Sequence, residues 1–232
     1  MAWRVEVLKS VLAFVAFFDI YGSSYMKFNS NLFNRLRACH QHVETTISKT
    51  PTGSNIKTYH FSDSTFIVYE LFNDDPMQTY SAIISQISSI SSFYTDQKLP
   101  LRGSLSFGKI IYGDNIVIGK PVVKAVSNEQ LPAAPIFWTP YEELPSSIAD
   151  TFLSEITEED LSKHTIQTKT PDYKRLGRII WPHPVGDFFK FVSKNRLHYM
   201  LKGPSGPAIA WDRAYNLLIE LKSHYAKVNF YE

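Results

Sequence analysis

An α/β fold, one mostly antiparallel sheet with helices packed over it, is predicted by three features of the sequence. Short runs rich in aromatic and β-branched residues alternate with longer stretches whose apolar residues recur every three or four positions. Two of the short runs, Ile56 to Phe61 and Thr65 to Glu70, are separated only by Ser62-Asp63-Ser64, the spacing of a β-hairpin. Hydrophobic residues make up 44% of the 232 and charged residues 20%, which suffices to bury a core.

The first element, Val11-Leu12-Ala13-Phe14-Val15-Ala16-Phe17-Phe18, reads as a buried strand from its length and its aromatic and β-branched content. It falls well short of the roughly 20 residues of a membrane-spanning helix. It also ends on Asp19 and lacks a small-residue cleavage signature, so no membrane insertion is expected. Asp19-Ile20-Tyr21-Gly22-Ser23-Ser24 is a tight turn, with Gly22 free to take backbone angles that other residues resist. A helix from about 25 to 48 follows, its stripe formed by Met26, Leu32 or Phe33, Leu36, Cys39, Val43 and Ile47. Thr50 to Asn55 reads as a loop, and the hairpin then places Asp63 at its tip.

Asp75-Pro76 is a helix start, a capping carboxylate before a proline at the first helical position. Tyr80, Ile83, Ile84, Ile87, Ile90 and Tyr94 carry that helix onward. Leu99 to Phe107 and Tyr112 to Ile118 are expected to form a second strand pair, followed by a helix over Gly119 to Leu131 and a strand at Pro135 to Trp138. Helices over one sheet bury these faces, and the order contains the split βαβ arrangement (a βαββαβ core) of ferredoxin-like folds. From about 140 onward prolines and the acidic stretch Glu155 to Asp160 change the composition. Residues 1–145 are therefore read as one domain and 146–232 as an extension packed on it, ending in a helix over Trp211 to Ala226.

A formal net charge of +2, with no run of Lys and Arg, gives no reason to expect a nucleic-acid partner. Cys39 is the sole cysteine, which excludes an intrachain disulfide and a cysteine metal cluster and points to the cytoplasm.

The candidate chemistry begins with Asp19, a carboxylate at the end of an apolar strand, where a cation, a basic residue or solvent must offset its burial. Asp63 at the hairpin tip is the second. Each alone also fits a turn residue. If their strands are neighbours, the two carboxylates converge beside the Tyr21-Gly22-Ser23 turn, whose amides and following helix start suit phosphate oxygens. Hard oxygen ligands beside a phosphate cradle favour Mg²⁺ or Mn²⁺.

These residues resemble the class III nucleotidyl cyclase family. The segments carrying the resemblance are Phe17 to Ser24 (FFDIYGSS), Phe61-Ser62-Asp63-Ser64 and Leu101 to Gly108 (LRGSLSFG), with a weaker match at Gly119 to Ala125, in family order between about residues 11 and 140. The resemblance implies that 1–145 is the catalytic domain and that Asp19 and Asp63 hold two divalent ions, Mn²⁺ or Mg²⁺, with the Ile20 carbonyl as a further ligand. It implies that the backbone of Tyr21, Gly22, Ser23 and Ser24 holds phosphates and that Arg102 grips the triphosphate with its guanidinium fork. It also implies a head-to-tail homodimer, with part of the base and ribose pocket supplied by the partner.

The departures refine the expectation. Where purine cyclases place a base-reading lysine, four residues before the second metal aspartate, this chain has Tyr59; a second base-reading position aligns with Ile116. The asparagine and arginine expected near the transition state align with Val123 and Ser127. With Tyr59, compactness and a C-terminal extension, the chain is most similar to the bacterial pyrimidine cyclases of the Pycsar antiphage defence system. That similarity implies conversion of UTP, with CTP close behind, to a cyclic mononucleotide read by a separate effector. A purine cyclase and a non-catalytic nucleotide-binding or dimerisation module remain the alternatives.

Overall fold

The computed structural model describes residues 8–49, 55–130, 135–153, 165–169, 176–180, 185–203 and 206–225. The most apolar segment becomes the central strand, β1 (Lys9–Ile20), in which Ala13 to Phe18 are buried. It is followed by α1 (Ser30–Ser48), the hairpin β2 (Ile56–Phe61) and β3 (Ser64–Glu70), α2 (Pro76–Asp96), β4 (Leu101–Tyr112), the short β5 (Val117–Ile118), α3 (Lys120–Glu129) and β6 (Phe137–Pro140). The remaining described elements are α4 (Ser146–Leu153), β7 (Thr165–Lys169), β8 (Leu176–Ile180), α5 (Val185–Met200) and α6 (Gly206–Tyr225).

These strands form one sheet in the order β2-β3-β1-β4-β6-β8-β7, with β5 paired to β4. Every pairing is antiparallel except β4 with β6. The alternation of a strand sorts β1 into two faces. Phe14, Ala16, Phe18 and Ile20 pack beneath α1 and α2, against Cys39, Val43, Ile83, Ile84 and Ile87. Ala13, Val15 and Phe17 turn to the opposite face, with Tyr59, Val68, Ile110 and Ala125 of α3. Phe14 and Phe18 are fully enclosed, and each such side chain contributes about 2 kcal/mol by burial.

On that second face the sheet continues into the C-terminal part of the chain. β8 pairs with β6, and Trp138 and Ile179 pack against Phe188 and Val192 of α5 and Trp211, Ala214 and Leu218 of α6. Gly103 permits the close parallel pairing of β4 with β6: a Cβ there would stand 2.5 Å from the Phe137 ring and 2.7 Å from the Phe17 carbonyl oxygen.

Local caps set the helix starts. The Asn29 side chain accepts from the Leu32 amide at 2.9 Å, and Asp75 accepts from Met77 and Gln78 with Pro76 in the first turn. The expected helix from 25 thus begins at Ser30 instead, because Ser23–Tyr25 form a separate 3₁₀ turn and Asn29 makes the cap. The expected strand over 112–118 is also corrected. β4 stays paired to β1 as far as Tyr112 opposite Lys9, the chain turns through Gly113-Asp114-Asn115-Ile116, and only Val117 and Ile118 return. β6 lies two residues later than expected, and the last helix starts at Gly206 rather than Trp211. The loop at 50–54, the acidic stretch Glu155 to Asp160, Leu131 and Ala226 lie outside the described residues.

Candidate active site

The β1–β4 register sets Asp19 directly opposite Arg102. Asp19 lies two residues beyond Phe17, so alternation carries it to the α3 face. There the Arg102 Nη2 donates to Asp19 Oδ2 at 3.1 Å and Nε to Oδ1 at 3.4 Å. A third charge completes the cluster: Glu129, the last residue of α3, makes an ion pair with Arg102 Nε. The Arg102 guanidinium also lies 5.5 Å from the centre of the Tyr21 ring, within cation–π range.

Burial differs across the three. Glu129 is 2% exposed, whereas the Arg102 and Asp19 side chains keep 23% and 20%. The Arg102–Asp19 pair is thus open in part to solvent or a ligand, while Glu129 is enclosed. Burial is the largest influence on Glu129, followed by the Asp19 charge, and together they push its carboxyl up to about 8 against the opposing pull of Arg102. Burial works against the charge on Arg102 too, but the hydrogen bond and charge of Asp19, then Glu129, outweigh it and raise its pKa.

Asp63 emerges at the same end of the sheet. The β1–β3 pairing ends at Phe18 opposite Thr65, so Asp19 stands one residue past that pair and Asp63 two residues before it. Ser62 takes the left-handed conformation, φ 58°, that tightens the hairpin, and Asp63 beside it is half-buried. Ile20 closes β1 opposite Leu101, and the Tyr21 amide donates to the Pro100 carbonyl at 2.8 Å. Gly22 turns the chain with φ 78°, and Ser23–Tyr25 follow as a single 3₁₀ turn. Amides in the first turn of such a helix have no acceptor within it.

Tyr59 is buried at 6% on the Asp19 face, in a row with Phe66 and Phe17 across β2, β3 and β1. Its hydroxyl donates to the Gly113 carbonyl at 2.5 Å, with the Ile116 carbonyl 3.3 Å away. Tyr59 and Ile116, which the resemblance aligns with the base-reading positions of purine cyclases, are therefore neighbours. Val123 is 68% exposed on α3, and the exposed Ser127 hydroxyl donates to the Lys124 carbonyl at 3.1 Å. His60 faces away from this cluster, between Thr65 and Glu44 and stacked on His40.

Sequence reasoning did not single out Glu129. The signal was present: Pro121, Ala125 and Glu129 recur every four residues and mark one buried stripe of α3. Among the described residues there is no group of three or more His, Cys, Asp or Glu side chains placed to hold a metal ion, and no helix is long and apolar enough to cross a membrane.

No family model matches the sequence, and no curated protein does. Solved structures do match in fold. The adenylyl cyclase CyaB from P. aeruginosa superimposes with a TM-score of 0.52 at 14% identity, covering 75% of this chain and 94% of that one. The catalytic core of a rhodopsin-guanylyl cyclase with converted specificity, solved with ATPαS, superimposes with a TM-score of 0.54 at 12% identity, covering 76% and 98%. The chain has the fold of the class III nucleotidyl cyclases.

Proposed function

We propose that the chain is a nucleotidyl cyclase that converts a pyrimidine nucleoside triphosphate, UTP before CTP, to the 3′,5′-cyclic monophosphate and pyrophosphate. The observation that carries this reading is the placement of Asp19 opposite Arg102 at the end of the sheet where Asp63 also emerges. Carboxylates and a guanidinium held there, on a cyclase fold, match the parts needed to bind a triphosphate and its counter-ions.

Two partly exposed carboxylates and the Ile20 carbonyl are a hard-oxygen donor set that fits Mg²⁺ or Mn²⁺, with phosphate oxygens and water completing the shell. Two ions bound there would lower the pKa of the ribose 3′ hydroxyl and offset the charge developing on the phosphates. The chain's own groups do the rest. Arg102 offers a fork of N–H donors to the triphosphate, and the turn through Gly22, Ser23 and Ser24 offers backbone amides, the Tyr21 amide expected to join them being held instead by the Pro100 carbonyl. Both hold the α-phosphorus in line with the attacking oxygen.

Tyr59 beside Ile116 supports the pyrimidine preference, since neither side chain offers the charged groups that read a purine edge. In this reading residues 1–145 are catalytic and 146–232 form the extension. The active unit is a cytoplasmic homodimer whose partner completes the base and ribose pocket. The cyclic product serves as a second messenger in antiphage defence, read by a separate effector. A non-catalytic nucleotide-binding or dimerisation module is the second reading, favoured by Val123 and Ser127 at the transition-state positions; a purine cyclase is the third. Incubation with each of the four triphosphates and Mn²⁺ separates them. A preference for ATP removes the pyrimidine assignment, and no product from any of the four favours the non-catalytic module.

A further inference from the structure

We infer that Glu129 is a positioning residue that anchors the Arg102 guanidinium from the buried side of the site, so that Arg102 can exchange Asp19 for a triphosphate without leaving the site. This rests on the reading of the site as a triphosphate pocket.

The argument starts from where Glu129 stands. It closes α3, where the carbonyl end of the helix dipole disfavours a carboxylate. It is 2% exposed, and the Asp19 carboxylate adds like charge nearby. Its carboxyl nevertheless stands at the enclosed end of α3 against the Arg102 guanidinium. A surface glutamate at the end of a helix needs no such arrangement; this one is held where it meets Arg102.

The division of labour on the guanidinium follows from the contacts. Nε hydrogen-bonds to Asp19 Oδ1 and stands in ion-pair contact with the buried Glu129, whereas Nη2 hydrogen-bonds to the partly exposed Asp19 alone. Phosphate oxygens arriving from the Asp19 side compete with Asp19 for Nη2 and leave the buried Nε contact in place. Arginine has a long stem with many rotamers, so one fixed contact removes most of the freedom that a phosphate would otherwise have to restrict. Tyr21 beneath the guanidinium limits the same motion from the other direction.

The test is calorimetric binding of inorganic tripolyphosphate to the full chain, with turnover measured alongside and a thermal melt of each variant. Glu129→Gln is expected to weaken tripolyphosphate about tenfold and to raise KM more than it lowers kcat. Arg102→Ala is expected to weaken it further, and the double variant to match Arg102→Ala within about twofold, because an anchor has nothing left to hold. Glu129→Asp, which keeps the carboxyl but is one methylene short, is expected to fall between Gln and the unmutated chain, and it carries the test if Glu129→Gln does not fold. Unchanged or tighter binding in the Glu129 variants, or a penalty that persists in the Arg102→Ala background, overturns the inference while leaving the triphosphate site standing. Failure of the unmutated chain to bind tripolyphosphate overturns both.

Discussion

Tyr21 meets Trp211 edge-on, with ring centroids 5.5 Å apart and planes at 85°, and so joins the turn after β1 to the last described helix. The same Tyr21 ring lies beside the Arg102 guanidinium. A residue of the proposed phosphate turn is therefore packed between the charged cluster and the C-terminal part of the chain. The C-terminal part of the chain thus reaches the charged cluster through this contact.

Trp211→Ala should accordingly act twice. Trp211 is 6% exposed and also packs against Phe191, so its truncation is expected to cost about 3–4 kcal/mol of stability. A folded remainder should bind nucleotide more weakly, because Tyr21 loses its support. Trp211→Phe, which keeps an edge-on aromatic, should recover most of both. Thermal melts and nucleotide titrations of the two variants check this; an unaffected site in folded Trp211→Ala removes the coupling.

Asp63→Ala should abolish turnover while sparing the fold. The side chain sits half-buried in the turn between β2 and β3, beyond the paired strands, so its removal leaves no cavity in the core. A loss of about a hundredfold or more in product formation is expected if it holds a metal against the triphosphate. Product assays with Mn²⁺ and a melt within about 1 kcal/mol of the unmutated stability are the expected pair of results. Undiminished product formation removes Asp63 from the metal site.

Tyr59 separates packing from selectivity. Tyr59→Phe keeps the ring in its row with Phe66 and Phe17 but leaves the Gly113 carbonyl without the hydroxyl, at an expected cost of about 1 kcal/mol. Tyr59→Lys brings back the side chain that purine cyclases use and should lower pyrimidine turnover relative to ATP. Ratios of kcat/KM across the four triphosphates read the outcome. A ratio that does not move confines Tyr59 to supporting the turn between β4 and β5.

The parts of this arrangement that could be read in the sequence are those encoded locally. β1 is marked by an unbroken apolar run, the β2–β3 hairpin by a short spacer between two runs, and the start of α2 by Asp75-Pro76. What escaped depends on distant partners. β4 runs past its expected end because β1 pairs with it throughout, and β7 and β8 are five residues each, too short to show a period. Arg102 was marked by its motif, yet its partner Asp19 lies 83 residues away and only the register joins them. Glu129 was the hardest to see, because a glutamate at the end of a short helix ordinarily faces solvent, and only the packing of α3 over β4 and β1 buries it.

The histidines of α1 predict how the fold responds to acid. His40 is half-buried and stacked on His60 of β2, with ring centroids 4.2 Å apart. Burial first, then the His60 charge, lowers its pKa below 6.5, against a weaker raising influence from Glu44 on its own helix. His42 is stacked on Phe93 of α2 at 4.0 Å and is lowered by burial and by Lys49, against a hydrogen bond with the Ser89 backbone. A base whose pKa is depressed by folding binds protons more readily when unfolded. Its contribution to stability is therefore complete above the unfolded value of about 6.5 and is lost as pH falls through and below it. The histidine contribution to the thermal midpoint should be level from about pH 8 to 7 and should fall below about pH 6.5, while Glu129, raised by folding to about 8, acts in the opposite sense and loses stability as pH rises toward 8. In a His40→Gln, His42→Gln double variant the fall below pH 6.5 should be shallower, whatever the variant's midpoint at pH 8, because the groups that take up protons on unfolding are gone. An equally steep fall in the double variant assigns the acid sensitivity to other groups.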